Sequence, residues 1–427
     1  MRIDRRGFLV GGLAALGAAA LPWPLRRALA QAAPVRRNLL VVFAQGGWDI
    51  TFALDPKPDL QTVDAPPGTV QRFAEIDVFT DESRPGVTAF FERWASEVAV
   101  VRGIQTRSIA HPVCTRRMLT GSPDPSRPDL AAIAAHEAGR DLPVPYLVLG
   151  NAAFTGPLAA SAGRVGTTNQ IIALIDPAQG YPRPADSPRP GPQFIPDAQD
   201  RDLIRNYLKA RAERERATRG ALGYNARRIA DFQASLDRAE ALRPFARAFG
   251  DRGITLGLEQ QIPIALEAIS QGVAWSVILD TRLPWDTHTG NAAQGQYWNL
   301  TFTQLGALFE ALASRPGRQA GKKMIDETVV VVMSEMSRTP KLNNTQGKDH
   351  WPVTACLVGG AGVRGGRVYG RSDDLVDSVP IDLETGEPKD GGRQLLTENL
   401  VAGLLELLGV DPSPWFPGVP PFRGLMA

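Results

Sequence analysis

Three short segments of this chain hold acids and imidazoles at spacings that suit a divalent metal. In Leu283-Pro284-Trp285-Asp286-Thr287-His288, an Asp and a His one residue apart follow the apolar run Ala274 to Asp280. Where a strand's pleat ends, both side chains of such an extended pair can turn to one side and capture a cation. Zinc, manganese or iron accept mixed oxygen and nitrogen ligands, whereas calcium tolerates the carboxylate better than the imidazole. The second segment, Ser334 to Pro352 (SEMSRTPKLNNTQGKDHWP), follows the β-branched run Thr328 to Met333 and carries Glu335, Arg338, Asp349 and His350. A plain connector has no need of so many charged and conformationally special residues. In the third, SIAHPVCTRRMLTGSP, His111, Cys114, Thr115, Arg116 and Arg117 lie on a loop-to-helix segment ending at Gly121 and can supply a nucleophile, a ligand or an anion clamp.

A fourth carboxylate, Asp49, follows the apolar run Asn38 to Ala44 across Gln45-Gly46-Gly47-Trp48, where two glycines permit a tight turn and a close approach to the backbone. Of the four histidines, His111, His288 and His350 fall in strand-end loops beside an acid or a basic cluster. His136 lies inside a helical pattern and reads as a surface or packing residue.

Residues so far apart in sequence can meet only if the fold collects them. The Asn38, Ala274 and Thr328 runs read as strands of a parallel sheet buried on both faces. In such a sheet every strand's carboxyl end points to one edge, so the loops carrying Asp49, Asp286, His288, Glu335 and His350 are expected to converge there. Further strands are expected at Val98 to Arg102, Pro145 to Leu149 and Thr354 to Val358. Helices are expected near Gly86 to Glu97, Asp129 to Gly139, Gly257 to Gly272, Gln296 to Ala313 and Leu395 to Leu408. The fold class is therefore α/β, built on a parallel sheet.

Between about 176 and 250 the composition changes: a Pro-rich surface loop, then an Arg- and Ala-rich stretch from Asp197 to Phe249 with apolar residues at helical spacing. It is expected to form an inserted helical cap on the core, with a protein-docking face as a sharper reading.

The first residues read as an address. Arg5-Arg6 precede Gly7-Phe8-Leu9, an uncharged run to Leu25, and Ala28-Leu29-Ala30, the pattern of a twin-arginine signal ending in an A-x-A cleavage site, so residues 1–30 are expected to be removed. Glycines and prolines dilute the run, and no stable membrane span is expected after cleavage. Residues 31–427 are expected to be one domain working in the periplasm or outside the cell. The chain's net charge is +2, and residues 1–30 hold five Arg and one Asp, which leaves the remainder near −2. No nucleic-acid partner is implied. Cys114 and Cys356 read as two buried thiols.

The leader, Phe43 to Asp49 (FAQGGWD), Trp285 to His288 (WDTH) and SEMSRTPKLNNTQGKDHWP together resemble an exported bacterial family, domain of unknown function 1501, within the alkaline phosphatase and sulfatase-like superfamily. The resemblance implies a three-layer α/β/α fold, a mostly parallel central sheet between helices, with one or two divalent metals at the carboxyl ends of the strands. By that likeness Asp49 matches the first ligand, Asp286 and His288 the second group, Glu335 the third acid and His350 the last histidine. The chain departs from the pattern in four places, the first being that Asp286 and His288 are closer than the common Asp-x-x-x-His. Met336 stands where the usual Asp-His pair has its histidine. Leu119-Thr120-Gly121 sets His111 at the nucleophile position, and the residues after Cys114 lack the formylglycine pattern. The activity implied is hydrolysis of an anionic phosphate or sulfate ester by a metal-activated water or an unidentified nucleophile, with Arg116, Arg117 or Arg338 clamping the anion. The alternative on the same fold is an inactive exported binding or assembly protein that uses the helical insertion.

Overall fold

Strand β1 (Asn38–Phe43) lies at the heart of the sheet, and its side chains divide strictly by parity. Leu40 and Val42 join one apolar core, while Leu39, Val41 and Phe43 join the other. Strand β8 (Thr328–Met333) divides the same way, Val330 and Val332 to the first core, Val329, Val331 and Met333 to the second. A sheet covered on both faces requires apolar residues at every position, which is why these strands read as unbroken hydrophobic runs. Each fully buried valine contributes roughly 1.5 kcal/mol or more through removal of apolar surface from water.

The computed structural model describes residues 35–164, 197–218, 220, 223–242 and 257–426. The expected leader, the Pro-rich stretch 176–196 and the end of the insertion lie outside the described residues. Arg37–Ala427 is one compact unit. The remaining strands are β2 (Thr69–Phe73), β3 (Ile76–Thr80), β4 (Val98–Gln105), β5 (Tyr146–Val148), β6 (Ala162–Arg164), β7 (Ser276–Asp280), β9 (Ser337–Arg338), β10 (His350–Trp351), β11 (Val353–Gly360), β12 (Arg367–Tyr369) and β13 (Leu395–Leu396). The large sheet runs β12-β4-β11-β8-β1-β7-β5-β6, with β13 also paired to β4. All its pairings are parallel except those of β11, which runs antiparallel to both β4 and β8. The expected three-layer α/β fold is the one observed.

The helices are α1 (Pro85–Trp94), α2 (His111–Thr120), α3 (Leu130–Gly139), α4 (Ala198–Thr218), α5 (Gly223–Leu242), α6 (Leu258–Ser270), α7 (Gln294–Ser314) and α8 (Thr397–Leu407). Residues of α1, α6 and α7 build the first core; those of α2, α3 and α8 build the second. Helix α2 ends where Gly121 adopts a left-handed conformation, as its glycine implied. In the insertion, Leu203, Ile204 and Tyr207 of α4 and Phe232 of α5 are exposed. Both cysteines are buried free thiols, and burial pushes Cys356 up to about 12.

Candidate metal centre

The turn after β1 brings the site together. Gly46 and Gly47 both have positive φ, and a Cβ on Gly46 would lie 2.9 Å from the Asp286 backbone nitrogen. A side chain at either position would thus be strained, and would press on the Trp285-Asp286 segment at Gly46 and on Met336 and Arg338 at Gly47. β9 and β10 pair antiparallel, Arg338 opposite His350, so the long loop doubles back and returns His350 to the strand ends.

Beneath the rim lies a buried knot in which nearly every polar group is committed. Asp49 Oδ1 accepts from Thr51 N and Oγ1 at 3.1 and 2.7 Å, and Oδ2 accepts from Asn291 Nδ2 at 2.8 Å. Lys348 Nζ lies 2.8 Å from the same Oδ2, both side chains wholly buried. Arg338 is equally buried; its guanidinium donates to the carbonyls of Gly46, Gly47, Trp285 and Lys348 and, at 2.6 Å, to Asp286 Oδ1. Glu335 Oε1 accepts from Gly46 N and meets His111 Nδ1, each at 2.8 Å, while Oε2 accepts from Ser334 Oγ at 3.0 Å.

Above the knot, three imidazoles face one carboxylate. Each has its Nδ1 beside an acceptor at hydrogen-bond distance: His111 against Glu335 at 2.8 Å, His288 against Asp349 at 2.8 Å, His350 against the Ile109 carbonyl at 2.7 Å. An acceptor at Nδ1 fixes the proton there and leaves a bare lone pair on Nε2. The three Nε2 atoms lie 3.4, 3.2 and 3.3 Å from a carboxylate oxygen of Asp286, for His111, His288 and His350 respectively. The Nε2 atoms of His288 and His350 are 2.9 Å apart. His111 Nε2 is buried and has no hydrogen-bond partner.

This arrangement passes a simple test of fit for a cation. Donors at about 2.0 Å from a tetrahedral zinc stand about 3.3 Å from one another, close to the 3.2 to 3.4 Å between each Nε2 and Asp286, with His288 and His350 closer still at 2.9 Å. One donor atom each from His111, Asp286 and His350 lies within 4.8 Å of the others. Nδ1 tied back to a carboxylate or carbonyl is how metal-bound histidines are commonly oriented.

The charges follow the geometry. Burial works to raise the Asp286 carboxyl, but the Arg338 hydrogen bond and charge, with His111 and His350, hold it down at about 2. The Glu335 hydrogen bond raises His111 above its ordinary value against the opposing effect of burial. His350 is lowered, first by burial and then by the His111 and Arg338 charges, which favours the neutral, ligating form.

Among the residues expected from sequence, Asp286, His288, His350 and His111 come together. Asp49 and Glu335 do not join them: Asp49 is held by Lys348, Asn291 and Thr51, and Glu335 stands behind His111. The expectation that Arg338 clamps an anion is corrected, since its donors are taken by carbonyls and Asp286. Arg116 is corrected too. Its Nη1 donates to the Pro123 carbonyl at 3.2 Å and its guanidinium lies over Phe154. A cavity of about 560 Å³ opens beside the cluster, lined by Gln45, His111, Asn151, Asp280, Arg282 and Asp286 among others. Arg282, which sequence reading missed, takes a left-handed backbone (φ 56°) and reaches Asn151 Oδ1 at 2.5 Å. Asp280 is buried at the end of β7, and burial raises its carboxyl above the ordinary range. A basic residue two positions past a strand end was the available signal for Arg282; its positive φ was not legible.

The structure is thus an α/β protein with a candidate metal centre of three histidines and an aspartate at its strand ends. The chain belongs to the family described as protein of unknown function (DUF1501), whose model matches residues 36–417. No curated protein matches the sequence. Similar solved structures include a protein in the alkaline phosphatase superfamily from Vibrio parahaemolyticus, 12% identical over 89% of this chain and 69% of that one, with a TM-score of 0.39. The lipoteichoic acid synthase LtaP from Listeria monocytogenes is 10% identical over 91% and 74%, with a TM-score of 0.40. The C-terminal periplasmic domain of EcEptC from Escherichia coli, in complex with Zn, is 9% identical over 90% and 84%, with a TM-score of 0.36. At this distance the likenesses carry no chemistry across, and the site stands on its own residues. Among the described residues, no helix is long and apolar enough to cross a membrane.

Proposed function

We propose that this protein is an exported metal-dependent hydrolase of phosphate or sulfate esters, with His111, His288, His350 and Asp286 holding one divalent ion. The observation that carries the reading is the convergence of three Nδ1-tethered imidazoles on Asp286, with two bare nitrogens only 2.9 Å apart. Lone pairs so close repel unless a cation or a proton lies between them. Three nitrogens and one oxygen favour zinc, or another borderline ion such as manganese or iron, over calcium. Such an ion, when bound, supplies Lewis acidity that polarises an ester oxygen and acidifies a water.

The chain's own residues do the rest. Arg282 is the cation in the adjoining cavity and suits the anionic group of the ester, with Asn151 steadying its guanidinium. Asp280, held toward its neutral form, is the group suited to pass a proton to the leaving oxygen. Among the described residues the cavity lining includes no Ser or Thr, which favours water as the nucleophile. Aryl phosphate and aryl sulfate esters test the proposal. Hydrolysis should be lost on chelation, restored by zinc or manganese, and reduced at least tenfold by Arg282→Met, as expected for loss of a charge-assisted hydrogen bond. If metal-loaded protein hydrolyses neither ester, the hydrolase reading is wrong.

Export through the twin-arginine route is part of the same proposal, motivated by Arg5-Arg6 and Ala28-Leu29-Ala30. Replacing both arginines with lysine should strand precursor in the cytoplasm; normal amounts of periplasmic protein would rule this route out. A second reading, a binding or assembly partner acting through the α4–α5 hairpin, is favoured by the exposure of Leu203, Tyr207 and Phe232. Its test is a Leu203→Ser, Tyr207→Ser variant. Lost co-purification of a partner with hydrolysis intact supports it, and an unchanged set of co-purifying proteins rejects it.

A further inference from the structure

On the other side of the Asp49 knot lies a cavity of about 340 Å³, near the lower end of small-ligand pockets. Phe52, Pro66, Pro67 and Leu342 give it apolar walls, and Arg84 and Asn291 its polar ones. Arg84 is only 2% exposed. Among the described residues no carboxylate lies within ion-pair distance of it. Its guanidinium makes one hydrogen bond, from Nη2 to the Pro67 carbonyl at 3.0 Å, and Nε is buried without a partner. The Phe52 and Phe79 rings lie 5.4 and 6.0 Å from its central carbon.

The surroundings add positive potential, which the charge of Asp81 offsets only in part. Arg84 is itself the N-cap of α1, with no side-chain cap bond, and no acid stands in that helix's first turn. Gly295, near the start of the 21-residue α7, borders the same guanidinium: a Cβ there would lie 3.9 Å from Nη1. The first turn of α7 also lacks an acid. Helix N-termini each carry roughly half a positive charge, so two of them and a guanidinium meet here. Asp64 lines the cavity, but its carboxylate is taken by Lys341 Nζ and Leu342 N, at 2.9 and 2.8 Å. Asn291 is engaged as well, donating to Asp49 and accepting from Thr287. A buried charge without a partner costs several kcal/mol, a cost that a bound anion would remove.

We propose that this cavity is a second ligand site, which takes a small carboxylate carried on an apolar body. The planar guanidinium matches a carboxylate, and the rings and prolines cover the hydrocarbon. A phosphate would demand more donors than one arginine offers beside walls so apolar. The inference stands apart from the metal centre, because none of the four proposed ligands lines this cavity.

The test is the thermal stability of full-length protein with benzoate or hexanoate, against acetate and inorganic phosphate. Benzoate or hexanoate should raise Tm saturably, acetate should do so weakly, and phosphate should not. Arg84→Met should abolish the shift and, without ligand, be no less stable than the parent, since an uncompensated charge has been replaced by an apolar chain. Should that variant fail to fold, Arg84→Lys keeps the charge but loses the fork, and must weaken binding at least tenfold. His350→Ala should leave the benzoate shift unchanged. The proposal is overturned if neither carboxylate raises Tm, if phosphate alone does, or if the arginine variants respond as the parent does.

Discussion

The same loops build two polar assemblies that differ in what remains unspent. In the knot, the groups of Asp49, Lys348 and Arg338 are buried and answered by a partner inside the protein. At the rim, Asp286 and His288 are exposed and His111 and His350 partly so, and the Nε2 lone pairs face one another and a carboxylate. The difference separates two jobs that look alike in sequence. Charged residues answered by an opposite charge or a carbonyl inside the protein fix a backbone; charged residues with lone pairs left over can bind. Glu335 joins the two, buried with the knot while aiming His111 at the rim.

The largest effect should come from breaking the knot. Lys348→Met leaves Asp49 buried with no counter-charge and should destabilise the fold by about 3 to 5 kcal/mol, whereas the double variant with Asp49→Asn should recover most of that loss. Urea unfolding decides it. A single variant within 1 kcal/mol of the parent, read against that range, would mean the pair is not a structural pin.

A buried carboxylate without a cation sharpens the contrast. Asp129 caps α3 and accepts from Ala132 N, Phe154 N and the Tyr146 phenol (Oη), yet burial pushes it from 3.8 to about 6. Its folded pKa lies above the unfolded one, so the native state holds the proton more tightly. Stability should fall as pH rises from about 4 to about 6, by roughly 3 kcal/mol at 1.36 kcal/mol per pKa unit, and level off above. Asp129→Asn should flatten that stretch of the pH profile; a variant with the parent's slope would refute the assignment.

A smaller effect is expected where knot and rim touch. Glu335→Gln keeps an acceptor for His111 but loses the charge, and should weaken metal affinity about 10- to 100-fold with the fold retained. Because Glu335 raises His111, protons compete for Nε2 as pH falls through that raised value. In the variant the loss of metal should therefore begin at lower pH. Calorimetric titration at several pH values tests both points, and an unshifted pH profile would contradict the role given to Glu335.

The sheet was legible because β1, β7 and β8 are buried on both faces and carry polar residues only at their ends (Asn38, Ser276, Asp280 and Thr328), leaving the apolar run between unbroken. β8 has the bounds expected for it, and α2 stops at the glycine that marked its end. The antiparallel sense of β11 was not legible, since strand direction depends on connections and not on local pattern. The β2–β3 hairpin also escaped, its β2 residues being largely exposed and lacking an apolar alternation. Within the site, residue type showed which groups could bind a metal but not how deep each would lie. Lys348 and Arg338 sit in a charged loop whose sequence marks it as more than a connector but does not show depth, and only the chain's return over Gly46-Gly47 buries them. His111 read as one of several candidates on its helix; its link to Glu335, 224 residues away, is a product of the fold alone.

The central claim is that His111, His288, His350 and Asp286 bind one ion and that the Asp49 knot binds none. Anomalous diffraction at the zinc edge, from crystals of the protein loaded with zinc, examines both halves at once. The expected result is a single peak bonded to the three Nε2 atoms and an Asp286 oxygen at about 2.0 to 2.2 Å. A peak on Asp49 or Glu335, or no peak among the three imidazoles, would contradict it.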